Sequence, residues 1–415
     1  MASAGPLEAP EPQPALQIPR WLRVWSWMTL ISVFVLLALG QLVTSFQAGM
    51  ADPIWPTEPW YLLVIDWQEP APGYLIEHTH RIAGFLVGGL TVILAFGLWW
   101  THPGRLRRWF GLAVLLTTVA AYGQFHGALM AQRHHPPDAV QWPYRTMQML
   151  MAAWLLILIL AVWDLWRGVP GAGVRLLGTL ALAAVKIQGL LGGFRVFWDA
   201  LAGTDLAAIH GTFAQCVLGL LLATAMLTLP APEGTALSRS IRRFRYWTVA
   251  IAAAVFLQIA LGVWLRHYVD PIAQRLHVLT AFGVVAGWVW LAGSMVRAPG
   301  VLEQVRYPLL GIGMVLLVQV YLGIEAWLVR YGAGVPPELA PATVISAVWR
   351  TAHALTGSLL WALSLAMMIF WWRYVDRGRH QVVTMVSFDG EGFQVGLVTD
   401  PTHKQPMRAW ISPGA

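Results

Sequence analysis

Ten long apolar segments follow one another along this chain of 415 residues, and they constrain its fold more than any other feature. They occupy residues 21–46, 76–100, 106–130, 147–166, 174–194, 206–229, 246–264, 276–296, 307–328 and 344–372. Each is long enough to cross a hydrocarbon core of about 30 Å as a helix. Inside lipid the backbone must satisfy its own hydrogen bonds, and unbroken apolar runs do so as helices. We therefore predict an all-α integral membrane protein with about ten transmembrane helices.

The charged residues support this class and suggest an orientation. Only 11% of the residues are charged, against roughly a quarter in ordinary soluble domains. Basic residues gather on alternate loops, and such loops face the cytoplasm, so both termini are predicted to be cytoplasmic. The net charge of +7 then reflects topology, and no nucleic-acid partner is indicated. The single cysteine, Cys216, excludes an internal disulfide or a cysteine-based metal cluster.

The two ends of the chain differ from the apolar body. Residues 1–19 are rich in proline and alanine and lack a basic stretch before an apolar core, so we predict a disordered cytoplasmic tail and no cleaved signal peptide. Residues 380–415 are polar, and the segment Phe388–Phe393 is typical of a hairpin turn between short strands. This end is predicted to be a small cytoplasmic appendage.

An internal repeat organises the apolar body. A helix with Gln-x-x-x-Gly or a near variant runs outward, and the next helix returns with a histidine in its first turns. The copies are Gly40-Gln41 before His80, Gln188 to Gly192 before His210, Gln258 to Gly262 before His277, and Gln319 to Gly323 before His353. The first two histidines are 130 positions apart and the last two only 76. We interpret this as two pseudo-symmetric four-helix bundles, residues 20–230 and 243–375, with a two-helix insertion at about 101–170.

The four histidines are predicted to lie at one depth, near the outer ends of their helices, as one pair in each half. An interfacial histidine bonded to a carbonyl is the alternative for any one of them. A zinc site is less favoured, since it wants four ligands around one ion, usually with cysteine among them. Haem needs one or two axial imidazoles, an apolar bundle and small residues beside the ring. The repeat glycines suit that role, although close helix packing would also use them.

The motif Glu77-His78-Thr79-His80-Arg81 distinguishes the two halves. Glu77 and His80 are three residues apart and share a helix face. The corresponding stretch of the second half has Gln274 before His277, with the same spacing but a neutral amide. The asymmetry predicts chemistry at the first site and cofactor retention at the second. The alternative is that Glu77 only pairs with Arg81 at i,i+4.

Other polar residues near or within the spans have open interpretations. Three arginines close to the ligand histidines are candidate contacts for haem propionates or interfacial cations: Arg81, Arg275 and Arg350. Lys186 and Glu325 lie within spans and would contact a cofactor, a substrate or neighbouring carbonyl groups. His126, His134 and His135 belong to the insertion, where a metal site, a proton path and a solvated outer loop are the alternatives.

Taken together, these residues resemble the haem A synthase family of aerobic bacteria and mitochondria. The resemblance spans roughly residues 20–375 outside the insertion. It is carried by the segments Ala48–Pro53 and Trp55–Thr57, the motif Glu77-x-x-His80-Arg81, the segment Gln188–Gly193, and the paired histidines. Two departures are the absence of a cysteine pair from the first outer loop and a count of ten spans instead of eight. The first excludes a thiol relay, and the second leaves the insertion without a role drawn from the family.

The resemblance implies that His277 and His353 ligate a resident haem b through its iron, and that His80 and His210 hold the substrate, haem O. Glu77 would be the catalytic carboxylate. The implied enzyme is an oxidoreductase of the bacterial inner membrane that converts the C8 methyl of haem O to a formyl group, giving haem A for cytochrome oxidase. Its implied partners are haem O synthase, a quinol or other electron donor, membrane lipid and a second copy of the chain.

Two other classes of function fit the sequence. One is a di-haem b-type membrane cytochrome that transfers electrons from quinol without modifying haem. The other is a transporter or assembly subunit without a redox role, which a colourless purified protein would favour. The contrast between Glu77 and Gln274 argues for the synthase, because a pure electron carrier has less need of a carboxylate at one site only.

Overall fold

Ten long helices make up most of the residues described by the computed structural model, which are 18–57, 71–234, 238–332, 334, 336, 337, 339, 342–376, 384–389, 392–397 and 407–408. The helices are α1 Arg20–Ser45, α2 Pro72–Trp100, α3 Arg105–Met130, α4 Tyr144–Trp166, α5 Ala172–Phe197, α6 Asp199–Leu227, α7 Ser238–Tyr268, α8 Pro271–Val296, α9 Leu302–Tyr331 and α10 Val344–Arg373. Each is long and apolar enough to cross a membrane. The prediction of an all-α multi-pass membrane protein is confirmed.

Local sequence signals explain where the helices that carry histidines begin. Helix α2 starts at Pro72, whose missing N–H costs nothing in a first turn. Helix α8 also starts at a proline, and the carboxylate of Asp270 accepts hydrogen bonds from the backbone N–H groups of Ile272 and Ala273 at 2.6 and 3.1 Å. Thr343 caps α10 in the same manner, accepting from the N–H of Ser346 at 3.2 Å. The three histidine-bearing turns that follow therefore have defined starting points.

The helices form two rings of four. In the first, α1 contacts α2, α2 contacts α5, α5 contacts α6, and α6 returns to α1. In the second, α7, α8, α9 and α10 are neighbours in the same cyclic order. Helices α3 and α4 pack on each other and against α2 and α5, outside the first ring. This is the predicted pair of four-helix bundles with a two-helix insertion.

The two bundles share an interface built by α1 and α6 against α7 and α10. The hydroxyl groups of Ser45 and Thr351 are 2.8 Å apart near its outer end. Deeper in the interface, the indole N–H of Trp361 donates to the backbone oxygen of Gln215 at 3.1 Å. The histidine-bearing regions of both bundles are thereby placed beside one another.

The described residues also include five short strands. Strand β1 (Glu233–Gly234) pairs in parallel with β2 (Val375–Asp376). Strands β3 (Thr384–Asp389) and β4 (Gly392–Leu397) are antiparallel with Asp389 opposite Gly392, which confirms the predicted hairpin, and β5 (Met407–Arg408) joins β4. The predicted disordered tail lies outside the described residues except for residues 18 and 19, and the cytoplasmic placement of both termini stays a prediction.

Candidate functional site

The four repeat histidines have the same local environment. Each imidazole lies against a glycine of the helix that precedes it in the repeat. A Cβ atom built on Gly40, Gly192, Gly262 or Gly323 would lie 2.9, 3.1, 3.0 or 3.0 Å from Cε1 of His80, His210, His277 or His353. Ordinary carbon contacts are longer than this, so any side chain at these glycines would displace the ring. The glycines thus make room for imidazoles, which is more specific than close helix packing.

The repeat glutamine supports the histidine from the same helix. The side-chain amide of Gln188 donates to the backbone oxygen of His210 at 2.9 Å, and Gln258 donates to that of His277 at 2.7 Å. Nδ1 of His277 also lies 3.1 Å from the backbone oxygen of Gln258. A carbonyl bound at Nδ1 leaves Nε2 as the nitrogen that can bind a metal.

The other three histidines approach the equivalent carbonyl less closely. These carbonyls belong to Leu36 for His80, Gln188 for His210 and Gln319 for His353. Within the described residues, Nδ1 of these three rings is enclosed and has no partner at full hydrogen-bond geometry. The carbonyl is nevertheless four residues before the repeat glycine in every copy, so all four rings are oriented alike.

The histidines form two matched pairs. The ring centres of His80 and His210 are 6.4 Å apart with an interplanar angle of 82°. Those of His277 and His353 are 6.2 Å apart, also at 82°. A metal about 2 Å from each nitrogen, with ring centres about 1 Å further back, would separate the centres by roughly 6 Å. Each pair can therefore hold one metal ion on opposite sides.

The described residues do not supply the remaining coordination positions of such an ion. Among the described residues, no group of three or more His, Cys, Asp or Glu is placed to hold a metal ion. Gly84 and Gly88 are half-buried on α2, one and two turns from His80, and a Cβ on either would meet nothing within 4 Å. A macrocycle that brings its own equatorial nitrogens fits two axial imidazoles and open space beside them, whereas a bare zinc ion does not.

Glu77 is buried and both of its oxygens have partners. Oε2 accepts a hydrogen bond from the backbone N–H of Asp52 at 2.9 Å, and Oε1 lies 2.6 Å from a terminal nitrogen of Arg81. The i,i+4 ion pair considered from the sequence is thus present. Glu77 fastens the first outer loop to α2, and a catalytic role for it stays a prediction.

Asp52 is the centre of the same network. Its Oδ2 lies 2.9 Å from Nε2 of His78 and 3.1 Å from Arg81, and its Oδ1 accepts from the N–H of Ile54 at 2.9 Å. Burial by itself raises the pKa of Asp52, but the hydrogen bonds from His78 and Ile54 and the charge of Arg81 outweigh it. The pKa of Asp52 therefore lies below its usual value, and the carboxylate is an anion at neutral pH.

Arg81 contacts the outer loop with both terminal nitrogens. Besides Glu77 and Asp52, it donates to the backbone oxygen of Ile54 at 2.7 Å and to the hydroxyl of Thr57 at 2.5 Å. The loop between α1 and α2 thus occupies both terminal nitrogens of Arg81, and a contact between Arg81 and a propionate stays a prediction. The sequence could not indicate that the loop folds back onto α2.

We expect Asp52→Asn to release this loop while leaving the histidine pairs in place. The change removes the charge that holds Arg81 and His78, and breaking a buried ion pair costs about 3 to 5 kcal/mol. Hydrogen exchange at the backbone amides of Asp52 and Ile54 should accelerate at least about tenfold. Asp205→Asn, at a carboxylate that accepts a hydrogen bond from the hydroxyl of Tyr268, is the control. Unchanged exchange in Asp52→Asn would show that the loop is held by other contacts.

Arginines from four helices converge at the end of the interface between the bundles that lies nearest the histidine pairs. Arg266 donates to the side chain of Gln41, to its backbone oxygen at 3.2 Å, and to the hydroxyl of Ser45 at 2.7 Å. A terminal nitrogen of Arg330 lies 3.5 Å from the backbone oxygen of Arg266. Arg350 is close enough for its charge to act on Arg266. Of the three predicted propionate contacts, Arg350 is the one in this group, whereas Arg275 is exposed.

Arg195, Arg266 and Arg330 were not among the site residues predicted from the sequence. A signal was present, because Arg195 and Arg266 follow the repeat glycines Gly192 and Gly262 by three and four residues. Arg195 donates to the backbone oxygen of Gly49, next to the Asp52 network. The repeat therefore places arginines three or four residues beyond glycines that contact the histidines.

The remaining candidates lie away from the histidine pairs. The ammonium of Lys186 lies 4.4 Å from the ring centre of Tyr122, and His126 packs between Tyr122 and Phe85. His134 accepts from Arg133 at 3.1 Å, and both His134 and His135 are exposed, as a solvated outer loop requires. Glu325 is half-buried in α9. None of these joins the four histidines.

Comparisons of the chain with protein-family models, with curated proteins and with solved structures find no match. A functional interpretation therefore rests on the motifs and on the geometry of the paired histidines.

Proposed function

We propose that this protein is a haem A synthase. In this proposal His277 and His353 hold haem b, and His80 and His210 hold haem O while its C8 methyl is oxidised to a formyl group. The observation that carries the proposal is the presence of two matched histidine pairs, of which only the first has a carboxylate, Glu77, three residues before a ligand. Two sites with the same pair of ligands but different neighbouring residues suit an enzyme in which one site carries out the reaction and the other retains a cofactor.

The chain's own groups have distinct roles in this proposal. The four imidazoles would hold the two haems through their iron, the repeat glycines make room for the imidazole rings, and Arg350 would offer a positive charge to a propionate. When bound, haem supplies a redox-active iron and the methyl group that is oxidised. With water as the oxygen source, conversion of the methyl to the formyl group releases four electrons and four protons. An acceptor of the quinone or dioxygen class must take those electrons, whereas the electron donor implied by the resemblance is needed only if dioxygen supplies the oxygen atom.

Glu77 is proposed to stabilise positive charge that develops at the methyl carbon, or to orient a water molecule towards it. The hydrogen bonds that it accepts from the N–H of Asp52 and from Arg81 fix the position of its carboxylate near the start of α2. Because Glu77 and His80 share a helix face, that charge lies on the side of the first histidine pair.

A di-haem electron-transfer cytochrome is the second candidate. The observation in its favour is that the two histidine pairs have the same interplanar angle, 82°, and nearly the same separation, 6.4 and 6.2 Å. A substrate site and a permanent cofactor site have no general reason to be so similar. Two electron-carrying sites do.

Extraction of haem from cells that make haem O distinguishes the two. Cells that express haem O synthase together with this protein should yield haem A by chromatography of acid-acetone extracts. Cells that carry the His80→Ala variant should yield haem O and haem b only. Purified protein that contains haem b in cells devoid of haem A would favour the electron-transfer cytochrome instead.

The repeat glycines offer a matched pair of variants in one helix. Gly323→Val places a branched side chain where a Cβ alone would lie 3.0 Å from Cε1 of His353, so the ring should be displaced and the haem b content should fall several-fold. Gly311→Val, on the same helix, meets nothing within 4 Å and should retain haem b. Pigment content per protein measures both. Equal haem b in the two variants would contradict the role given to the glycines.

A further inference from the structure

The outer end of the interface between the bundles carries an unusual concentration of positive charge. Arg195 of α5, Arg266 of α7, Arg330 of α9 and Arg350 of α10 all act electrostatically on one residue, His267. Arg330 and Arg350 also act on Arg266. We refer to these four arginines as the arginine cluster. Like charges brought together at the edge of a membrane repel one another unless an anion lies among them.

The described residues do not supply that anion. Within residues 18–57, 71–234 and 238–332 and the other described positions, no member of the arginine cluster forms an ion pair with a carboxylate. Nε of Arg266 and Nε of Arg330 are buried and have no hydrogen-bond partner there. Leaving such donors unpaired is costly, so the arrangement favours a bound anion.

The arginine cluster is adjacent to both histidine pairs. Arg195 acts on His210 of the first pair, and Arg266 acts on His353 of the second. Arg266 also binds Ser45 of α1, whose hydroxyl is 2.8 Å from that of Thr351 on α10. The cluster thus spans the interface instead of belonging to one bundle.

We infer that the arginine cluster is a single carboxylate-binding site shared by the haems of both bundles, and that it couples their occupancy. This rests on the proposed function only in taking haem as the ligand of the histidine pairs. Each haem has two propionates, so two haems would bring four carboxylates to four guanidinium groups. Arginine forms strong charge-assisted hydrogen bonds with carboxylates, and among the described residues the unpaired Nε groups of Arg266 and Arg330 are the donors left for them.

Coupling follows from the charge balance. With haem only at His277 and His353, two propionates face four arginines, and the excess positive charge disfavours ferric iron there. Propionates that arrive at the first site reduce the excess. The midpoint potential of haem b should therefore fall when the first site is filled.

Potentiometric titration of haem b in the purified full-length protein tests this. Ferric protoporphyrin IX added to fill the first site should lower the haem b potential. Its dimethyl ester, which has no free carboxylates, should bind roughly 10- to 100-fold more weakly and leave the potential unchanged at saturation. In the Arg195→Gln variant, the haem b potential should be lower than in the wild type before any addition. The acid should then lower it by less.

A matched variant controls for general effects of lost charge. Arg306→Gln removes an arginine at the opposite end of α9, beside Tyr307, and should behave as the wild type. The inference would be overturned if the acid and the ester bound equally, or if they shifted the haem b potential equally. The loop carboxylates Glu58, Asp66 and Glu69 or other groups would then satisfy the arginines. A protein without haem would overturn it too. Coupling in a protein that makes no haem A would leave the inference standing and refute the synthase.

Discussion

Replacing His353 with alanine should abolish the low-spin b-type spectrum of the purified protein, and His277→Ala should do the same or leave a high-spin haem. His80→Ala should retain the low-spin spectrum. The ring centres of His277 and His353 are 6.2 Å apart, so loss of either would leave an iron held between them with one imidazole. Absorption spectra of the reduced and oxidised proteins, normalised to protein content, provide the measurement.

The contrast between these variants tests the division of labour between the bundles. The second site has a neutral amide, Gln274, three residues before its ligand, and is assigned to retention of haem b. His210→Ala is the matched control for His80→Ala, because both belong to the first pair at 6.4 Å. Equal loss of pigment in all four variants would show that the two pairs do not have separate roles.

Glu77→Gln should stop haem A formation while both haems still bind. The substitution keeps the size of the side chain and an oxygen that can accept from the N–H of Asp52, but it removes the charge. If that charge stabilises a developing cation, its loss reduces the rate by roughly 10²- to 10³-fold. Haem O or a hydroxymethyl intermediate should then accumulate in extracts. Glu77→Asp should be intermediate, because the charge remains but is withdrawn by one methylene.

Asp52→Asn separates the chemistry of Glu77 from its contact with the outer loop. It disturbs the same network, since Asp52 binds Arg81 and His78, but it leaves the carboxylate of Glu77 in place. Haem A formation should therefore fall much less in Asp52→Asn than in Glu77→Gln. An equal loss in both would assign Glu77 to anchoring the loop, and normal haem A yield from Glu77→Gln would favour the electron-transfer cytochrome.

The helices and their grouping could be predicted because the membrane imposes length and apolarity on each span. The position of the insertion also followed from sequence, since the spacing between His80 and His210 exceeds that between His277 and His353. The spacing of the repeats can be read from the sequence alone, without knowledge of how the helices pack. The pairing of histidines was accessible for the same reason.

Contacts made by loops and between bundles could not be predicted. The loop between α1 and α2 returns to Arg81 through backbone oxygens such as that of Ile54, which no side-chain pattern reveals. Arg195 and Arg350 are 155 positions apart, and only the packing of the bundles places both near His267. Such convergence depends on tertiary structure alone.

Electron paramagnetic resonance of the oxidised protein tests most directly whether the paired histidines are axial ligands of haem. Imidazole planes at 82° to each other should give a highly anisotropic low-spin ferric signal, because nearly perpendicular ligands leave two iron d orbitals close in energy. We predict that signal in the wild type and its loss in His353→Ala. A colourless protein, a high-spin signal, or the rhombic signal of parallel imidazoles would contradict the account.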